Sequence, residues 1–149
     1  MDEAIYTAYL AGSLKLSRSG EWVHNGKHFT NPRLIELFHR SIFWDSAVGS
    51  YFIRIGKQQA TFDLEDTAYF VEHLDDSKNP WILSFLDGST EELDPKTLRM
   101  VDSGEFYCQK LNGQQAKFRR GAHQRLLEHA TGEDSLEICG ETFKIPRKQ

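Results

Sequence analysis

Cysteine, proline and long apolar runs are all scarce in this sequence of 149 residues. The two cysteines, Cys108 and Cys139, are too few for the disulfide framework of a small secreted domain, and neither belongs to a CxxC pair. No apolar run approaches the roughly 20 residues that a membrane helix needs. The first residues, Met1-Asp2-Glu3, do not have the charge pattern of a secretory leader. We therefore expect a soluble cytoplasmic protein whose two cysteines are buried free thiols.

The motifs that mark common catalytic sites are missing as well. The sequence has no glycine-rich phosphate loop, no GxSxG and no HExxH. His24, His123, Glu65 and Asp66 have side chains that general acid–base catalysis uses, but a sequence alone does not show that they converge. Cys108 lies in a strand-like run, which is a poor setting for a reactive thiolate. A small hydrolase-type enzyme is therefore only the third of the hypotheses considered, and no cofactor or metal is predicted.

The charge is slightly negative overall and unevenly distributed. A formal net charge of −4 argues against non-specific binding to nucleic acid or to an anionic membrane. The tract Phe106–Leu127 nevertheless carries five lysines and arginines, and no acid. The preceding segment, Phe62–Glu105, has twelve acids against three bases. The positive charge gathered in one tract is the clearest functional signal in the sequence.

Turn signals predict a hairpin near the N-terminus. Asn25-Gly26 favours a type I′ turn, because both residues tolerate positive φ, within a hairpin from Glu21 to Thr30. Strand alternation then places Trp22 and His24 on one face and His28 on the other. This geometry argues against His24 and His28 as a zinc pair.

Helical patterns flank this hairpin. The early acids and the apolar spacing of Asp2–Leu16 predict a short helix. Asn31 is a favoured N-cap and Pro32 suits the first helical position, so a second helix is predicted to run to Phe43 or Trp44. Strands are predicted over Tyr51–Ile55, Gln58–Leu64 and Thr67–Leu74.

The second half of the sequence repeats this order. A hairpin across Asp87-Gly88 again carries a type I′ signal, and Asp94-Pro95 resembles Asn31-Pro32. A shorter helix is expected over residues 96–101. The stretches QQATF at Gln58–Phe62 and QQAKF at Gln114–Phe118 differ at one position. We interpret these matches as a tandem duplication.

The elements together predict an α+β fold with antiparallel sheets and two tandem-repeated halves, each with a hairpin, a helix and a hairpin. The polar segment Asp75–Pro80 separates the halves, so the N-terminal half covers residues 1–76 and the C-terminal half covers residues 77–149. The C-terminal half also has a helix at Gly121–Ala130. It then has a hairpin that turns at Gly140-Glu141, followed by a tail from Pro146.

A resemblance to a known family rests on the order of several short motifs. Their pattern is Gly20-x-Trp22-x-His24-x-Gly26, then Leu37-Phe38, Gly49-x-Tyr51-Phe52 and Glu65-Asp66-x-Ala68-x-Phe70. In this order they are similar to the bacterial domain-of-unknown-function family 1285. The resemblance implies a duplicated α+β core whose second half is superficially similar to pleckstrin-homology domains. It also implies a ligand site between the halves, for a nucleotide-like signalling molecule.

The residues of the basic tract suggest where an anion binds. Arg119 and Arg120 follow a predicted strand and precede a helix at Gly121. Guanidinium groups bind phosphate through paired hydrogen bonds, and helix N-termini present free N–H groups to anions. His123 lies in the same tract. The alternative is that these arginines are solvated or pair with the acids of Phe62–Glu105.

Aromatic and basic residues of the first half complete the predicted ligand site. Trp22 could stack on a base and His24 could hydrogen-bond a phosphate or ring edge. Tyr51 and Arg54 stand in the hairpin that corresponds to the basic tract. The alternative for Trp22 and Tyr51 is an ordinary place in the hydrophobic core, and for His24 a place at a strand edge without a ligand.

Two main hypotheses follow. The first is a non-catalytic ligand-binding or regulatory module in bacterial signal transduction, which binds a small anionic, nucleotide-like molecule between its halves. The second is a protein-interaction module that uses a sheet edge or the acidic face. Nucleic acid and membranes are not expected partners.

Overall fold

The computed structural model describes residues 8–148 and has an α+β fold built mostly of short strands. The predicted α+β class is confirmed. The chain forms two compact units, residues 1–68 and 69–149. The domain boundary expected after residue 76 stays a prediction, because compactness alone does not define a domain. Within residues 8–148, no helix is long and apolar enough to span a membrane.

The first unit contains helix α1 (Pro32–Arg40) and two sheets in its described part. Its strands are β1 (Leu14–Leu16), β2 (Trp22–His24), β3 (Lys27–His28), β4 (Ile42–Asp45), β5 (Ser50–Ile55), β6 (Gln58–Ala60) and β7 (Asp63–Leu64). One sheet has the order β3-β2-β1-β7 and the other has the order β4-β5-β6. The predicted strand Gln58–Leu64 is thus two strands, and its last part pairs in parallel with β1.

The predicted N-terminal helix extends too far. Residues 2–7 lie outside the described residues, and residues 8–10 are helical. Gly12 has a φ of +87°, which a helix does not accommodate. Leu14–Leu16 then forms β1, because Leu14 and Leu16 alternate with Lys15 and bury both leucines.

The hairpin at Asn25-Gly26 has the predicted geometry. Asn25 and Gly26 have φ values of 48° and 82°, as a type I′ turn requires. His24 pairs with Lys27 and Val23 with His28, so His24 and His28 lie on opposite faces. The prediction that His24 and His28 lie on opposite faces of the hairpin is confirmed.

Helix α1 starts as predicted but ends earlier. The Asn31 side chain accepts hydrogen bonds from the backbone N–H groups of Arg33 and Leu34, at 3.0 and 3.4 Å. The predicted end at Phe43 or Trp44 is wrong, because residues 42–45 form β4 and pair with β5. The β-branched and aromatic residues at these positions favour a strand.

The second unit is organised around a six-stranded sheet. Its elements are β8 (Tyr69–Asp75), β9 (Ile82–Phe85), β10 (Thr90–Glu92), a 3₁₀ turn (Pro95–Thr97), β11 (Arg99–Met100), β12 (Phe106–Gln109), β13 (Gln115–Phe118), helix α2 (Arg120–Leu127), β14 (Ser135–Ile138) and β15 (Glu141–Lys144). The order in the sheet is β10-β9-β8-β13-β12-β11. Only β8 and β13 pair in parallel there, and β14 and β15 form a separate hairpin.

Three predictions for this unit need correction. The expected helix over residues 96–101 is a single 3₁₀ turn followed by β11. Leu98 is extended, with φ −63° and ψ 135°, so the turn does not continue into a helix. The helix expected at Gly121–Ala130 is α2, which ends three residues earlier. At Asp87-Gly88 only the glycine has positive φ, and the Gly88 N–H donates to the Phe85 carbonyl at 3.0 Å. That turn is therefore type I with a glycine bulge.

The two cysteines differ in their surroundings. Cys108 lies on β12 and is buried, as predicted. Cys139 is exposed, so the prediction of a buried thiol is wrong for this residue. Cys139 and Gly140, with φ values of 51° and 80°, form the type I′ turn between β14 and β15. The turn is thus one residue earlier than Gly140-Glu141, and its tip holds Cys139 in solvent.

Candidate anion-binding site

Trp22 lies in the hydrophobic core of the first unit. Its side chain is only 1% exposed. The indole Nε1–H donates to His39 Nδ1 at 3.3 Å, and the rings of Phe62 and Phe38 lie 5.2 and 5.6 Å away. A base would stack on this ring only after those side chains had moved. The surroundings of Trp22 therefore match the alternative of an ordinary place in the hydrophobic core.

His24 is half-buried beside the N-terminal segment. Its Nε2 lies 2.8 Å from the carbonyl oxygen of Ala11, and its ring lies 5.2 Å from the ring of Tyr9. One ring nitrogen is therefore engaged by the backbone. The other is left as a candidate for a ligand, so the role predicted for His24 stays a prediction.

Tyr51 and Arg54 occupy the same strand but different faces. They are three residues apart on β5, and side chains at an odd spacing alternate between faces. The Tyr51 ring packs edge-on against Trp44 at 4.8 Å. The Arg54 guanidinium lies 4.2 Å above the Phe43 ring and donates to Gln59 Oε1 at 3.3 Å. The strand itself therefore does not bring Tyr51 and Arg54 onto one surface.

The basic tract is largely paired with the acidic segment that precedes it. Four of its five bases form ion pairs with acids of Phe62–Glu105. The pairs are Arg119 with Glu72, Lys117 with Glu105 (2.7 Å), Lys110 with Asp87 and Glu91 (3.8 and 3.6 Å), and Arg125 with Asp76 (3.6 Å). Arg119 therefore follows the alternative prediction, in which arginines of the tract pair with these acids. Most of the charge that the sequence concentrates here is balanced within the second unit.

Arg120 and His123 remain at the start of α2. Arg120 is exposed and forms no ion pair with any of residues 8–148. Arg119, the N-cap residue, makes no side-chain capping hydrogen bond. Burial lowers the pKa of His123, against an opposite effect of Glu105. His123 is therefore uncharged at neutral pH, so it can offer an anion a hydrogen bond but no charge. This helix terminus stays a predicted anion site.

A second positive region lies elsewhere in the second unit. It is a pocket of about 160 Å³ whose wall includes Lys96, Arg99 and Lys148 and no carboxylate. None of these three cations forms an ion pair within the described part of the chain. The rest of the wall comes from Thr97, Tyr107, Cys108, Gln109 and Gln115. We call this site the basic pocket.

Strand register explains how the pocket forms. Arg99 on β11 pairs with Tyr107 on β12, so both side chains project from one face of the sheet. Gln109 lies two residues further along β12, on that same face, and pairs with Gln115 on β13. The sheet therefore carries a cation, a phenol and two amides side by side. Lys96 comes from the 3₁₀ turn just before β11.

Arg99 is held in place by backbone carbonyl groups. Its Nη1 donates to the carbonyl oxygens of Lys96 and Leu98, at 2.9 and 2.7 Å. These bonds use the hydrogens of one nitrogen and leave the Nε and Nη2 donors without a described partner. A guanidinium fixed in this way can bind a carboxylate or phosphate through two parallel hydrogen bonds.

Lys148 reaches the pocket because the C-terminal segment pairs with β11. The Met100 N–H donates to the Pro146 carbonyl at 3.0 Å, and the Lys148 N–H donates to the Met100 carbonyl at 2.8 Å. Arg147 and Met100 form a parallel bridge. Lys148, one residue on, therefore shares the face of Arg99, and its Nζ lies 5.0 Å from the centre of the Tyr107 ring.

The pocket wall is suited to binding rather than to nucleophilic attack by its cysteine. Burial, assisted by the negative charge of Glu91, raises the pKa of the Cys108 thiol to about 12. The thiol is therefore protonated at neutral pH, and the thiolate is the reactive form. What the wall offers an incoming molecule is positive charge and amide hydrogen bonds.

The sequence contained only faint signals of this pocket. In the sequence, Lys96 and Arg99 are two of the three bases in the acidic segment, and Lys148 belongs to the C-terminal tail. Asp94-Pro95 predicts the start of a helix, and the Asp94 side chain does cap the 3₁₀ turn that forms there, by accepting from the Lys96 N–H at 3.1 Å. Pairing of the C-terminal segment with β11 had no local signal, because residues about 50 positions apart form it.

The fold is that of a known class of bacterial α+β proteins. A DUF1285 family protein from Silicibacter pomeroyi DSS-3 has a similar crystal structure, with a TM-score of 0.67, 13% identity, and coverage of 91% of this chain and 80% of that one. A DUF1285 family protein from Shewanella baltica OS155 matches with a TM-score of 0.62, 15% identity, and coverage of 79% and 92%. No family model and no curated protein matches the sequence. The predicted resemblance to family 1285 is confirmed at the level of the fold.

Proposed function

We propose that this protein is a non-catalytic ligand-binding module whose basic pocket takes a small anion. The observation that carries the proposal is the meeting of Lys96, Arg99 and Lys148 around one pocket without a carboxylate. Like charges repel one another, so three cations at one pocket favour an anion that neutralises them. Elsewhere in the unit, four of the five bases of the tract already have acidic partners, and only Arg120 has none among the described residues.

The size of the pocket limits what it can enclose. Pockets that enclose whole drug-sized ligands have volumes of roughly 300–1,000 Å³, whereas this one measures about 160 Å³. It therefore suits a compact oxyanion such as a phosphate group, with any larger part of the molecule outside. A nucleotide-like ligand and a role in signal transduction, which the family resemblance implies, remain compatible with the proposal.

Titration calorimetry with inorganic phosphate and pyrophosphate tests this function. We expect binding that weakens with salt, and loss of at least tenfold in affinity in the double variant Lys96→Ala with Lys148→Ala. The matched control is Lys78→Ala with Lys144→Ala, which removes the same charge from exposed positions of the same unit. A third double variant, Arg119→Ala with Arg120→Ala, tests the start of α2 as the anion site.

The arms separate the possible outcomes. Loss only in the Lys96 and Lys148 variant supports the basic pocket. Loss only in the Arg119 and Arg120 variant assigns the anion to the start of α2 and refutes the pocket. Equal small losses in all three variants indicate a non-specific effect of charge, and no binding by the unaltered protein refutes anion binding altogether.

Protein interaction is a second candidate. In the described residues, β4 and β6 are the outer strands of the three-stranded sheet, and outer strands can pair with a peptide. Trp44, on β4, is 40% exposed, and Val48, in the loop after β4, is 64% exposed. The tandem duplication and the pleckstrin-homology-like second half also stay proposals. A partner that is lost in the variant Trp44→Ser, while phosphate binding is unchanged, would support this candidate.

A further inference from the structure

The basic pocket has a polar rim next to its cations. Gln109 and Gln115 are cross-strand partners, and directly opposed residues have Cβ atoms about 4.5–5.5 Å apart. Neither side-chain amide forms a hydrogen bond within residues 8–148. Each amide offers two donors and an acceptor. The rim can therefore bind groups that both donate and accept hydrogen bonds, as hydroxyl groups do.

The pocket has no open aromatic face. Its one aromatic residue, Tyr107, is 4% exposed. The ammonium groups of Lys148 and Lys117 lie 5.0 and 5.9 Å from the centre of its ring. Stacking on aromatic side chains is a main way in which proteins bind bases. A ligand held here consequently gains little from carrying a base.

We propose that the ligand is a phosphate ester of a small polyhydroxylated molecule, of the sugar phosphate or polyol phosphate class. The phosphate lies among Lys96, Arg99 and Lys148, and the hydroxyl groups bond to the amides of Gln109 and Gln115. The inference rests on the proposed function, because it assigns the organic part of the anion that this function requires. It also predicts that the base of a nucleotide adds nothing to binding.

Titration calorimetry of the full chain with four probes tests the inference. The probes are inorganic phosphate, glycerol 3-phosphate, ribose 5-phosphate and AMP. Two additional amide hydrogen bonds strengthen binding, so we expect ribose 5-phosphate to bind about tenfold more tightly than inorganic phosphate. AMP is expected to bind no more tightly than ribose 5-phosphate.

Glutamine variants show whether the rim is responsible. In Gln109→Leu with Gln115→Leu, the tenfold preference for ribose 5-phosphate should disappear while the affinity for inorganic phosphate stays within twofold. Gln124→Leu, at an exposed position of α2, is the matched control and should keep the preference. Single variants Gln109→Ala and Gln115→Ala serve if the double variant does not fold.

The failure of this inference differs from failure of the proposed function. If phosphate binds but glycerol 3-phosphate and ribose 5-phosphate bind no more tightly, or if AMP binds more tightly than ribose 5-phosphate, only the ligand class is wrong. If the preference for ribose 5-phosphate survives in the Gln109 and Gln115 variants, the proposal that these two amides bind the hydroxyl groups is wrong. If no probe binds, both the anion site and the proposed ligand class are refuted.

Discussion

Removing the two acids around Lys110 should destabilise the protein more than removing Lys110 itself. The Lys110 side chain is only 7% exposed, although it carries a charge. Its Nζ lies 3.6 Å from Glu91 and 3.8 Å from Asp87, and 4.2 and 4.5 Å from the centres of the Phe85 and Tyr69 rings. The ammonium therefore depends on these four neighbours in place of water.

The magnitude follows from what each variant leaves behind. Asp87→Asn with Glu91→Gln keeps the oxygens that accept from Ser89 and Leu111 but removes both negative charges. Leaving a buried charge without its partner costs about 3–5 kcal/mol. The two rings stay and each contributes up to about 2 kcal/mol, so we expect a loss of about 3 kcal/mol. Lys110→Met leaves two partly hydrated carboxylates and should cost about 1 kcal/mol.

Urea unfolding followed by circular dichroism measures these differences. The control is Arg125→Met, since Arg125 is 51% exposed and exposed ion pairs contribute about 0–1 kcal/mol. A loss in the double acid variant no larger than in the Arg125→Met control would refute the reasoning. It would mean that the ammonium of Lys110 is stabilised by water or by the rings alone.

Three further predictions concern the cysteines and the acid Asp76. Iodoacetamide should label the exposed Cys139 and leave Cys108 unlabelled in the native protein, as mass spectrometry will show; labelling of both at similar rates would contradict the burial of Cys108. Cys139→Asn should stabilise the protein by about 0.5–1 kcal/mol in urea unfolding, because asparagine tolerates the positive φ that costs other residues about 1–2 kcal/mol; a loss of stability would contradict this. A hydrogen bond from His129 lowers the pKa of Asp76 in the folded protein. The stability that Asp76 contributes is therefore complete above its unfolded pKa of ~3.9, and it is lost as the pH falls through the lower folded pKa. Asp76→Asn should therefore lose less free energy of unfolding than the unaltered protein on acidification from about pH 5 to about pH 2, and an equal loss in both would count against the pair.

Local sequence signals predicted the starts of elements better than their ends. Asn31 and Pro32 fix the start of α1, because capping is decided within three or four residues. The end of α1 depends on whether Ile42 pairs with Ile53, a contact between distant residues. The same applies to Leu14 and Leu16, whose helical or strand state is decided by pairing with β2.

Turn chemistry was predicted where both turn residues favour positive φ. Asn25-Gly26 forms the expected type I′ turn, but Asp87-Gly88 forms a type I turn with a bulge, because Asp87 does not adopt positive φ. Cys139 does adopt it, against its intrinsic preference, since the register of β14 and β15 places it at the turn. Pairing of the strands therefore decides the turn type when the dipeptide alone does not.

The candidate site was the least predictable feature. The tract around Arg119 has the highest density of bases in the sequence, yet density does not show which bases already have partners. Lys117 and Glu105 pair because β12 and β13 bring them together. Lys96 and Arg99 are near each other in the sequence, but Lys148 joins them only because the C-terminal segment pairs with β11. The fold, and not the composition, therefore decides which charged side chains lack an oppositely charged partner.

Amide chemical-shift mapping by NMR tests the central claim most directly, namely that the free positive charge of the second unit binds a small anion at the basic pocket. The protein is titrated with inorganic phosphate at low salt. The account predicts saturable shifts at Thr97, Arg99, Gln109, Gln115 and Lys148, with Gly121 and Ala122 at the start of α2 unchanged. Shifts confined to Arg120–His123, or none that saturate, would contradict it.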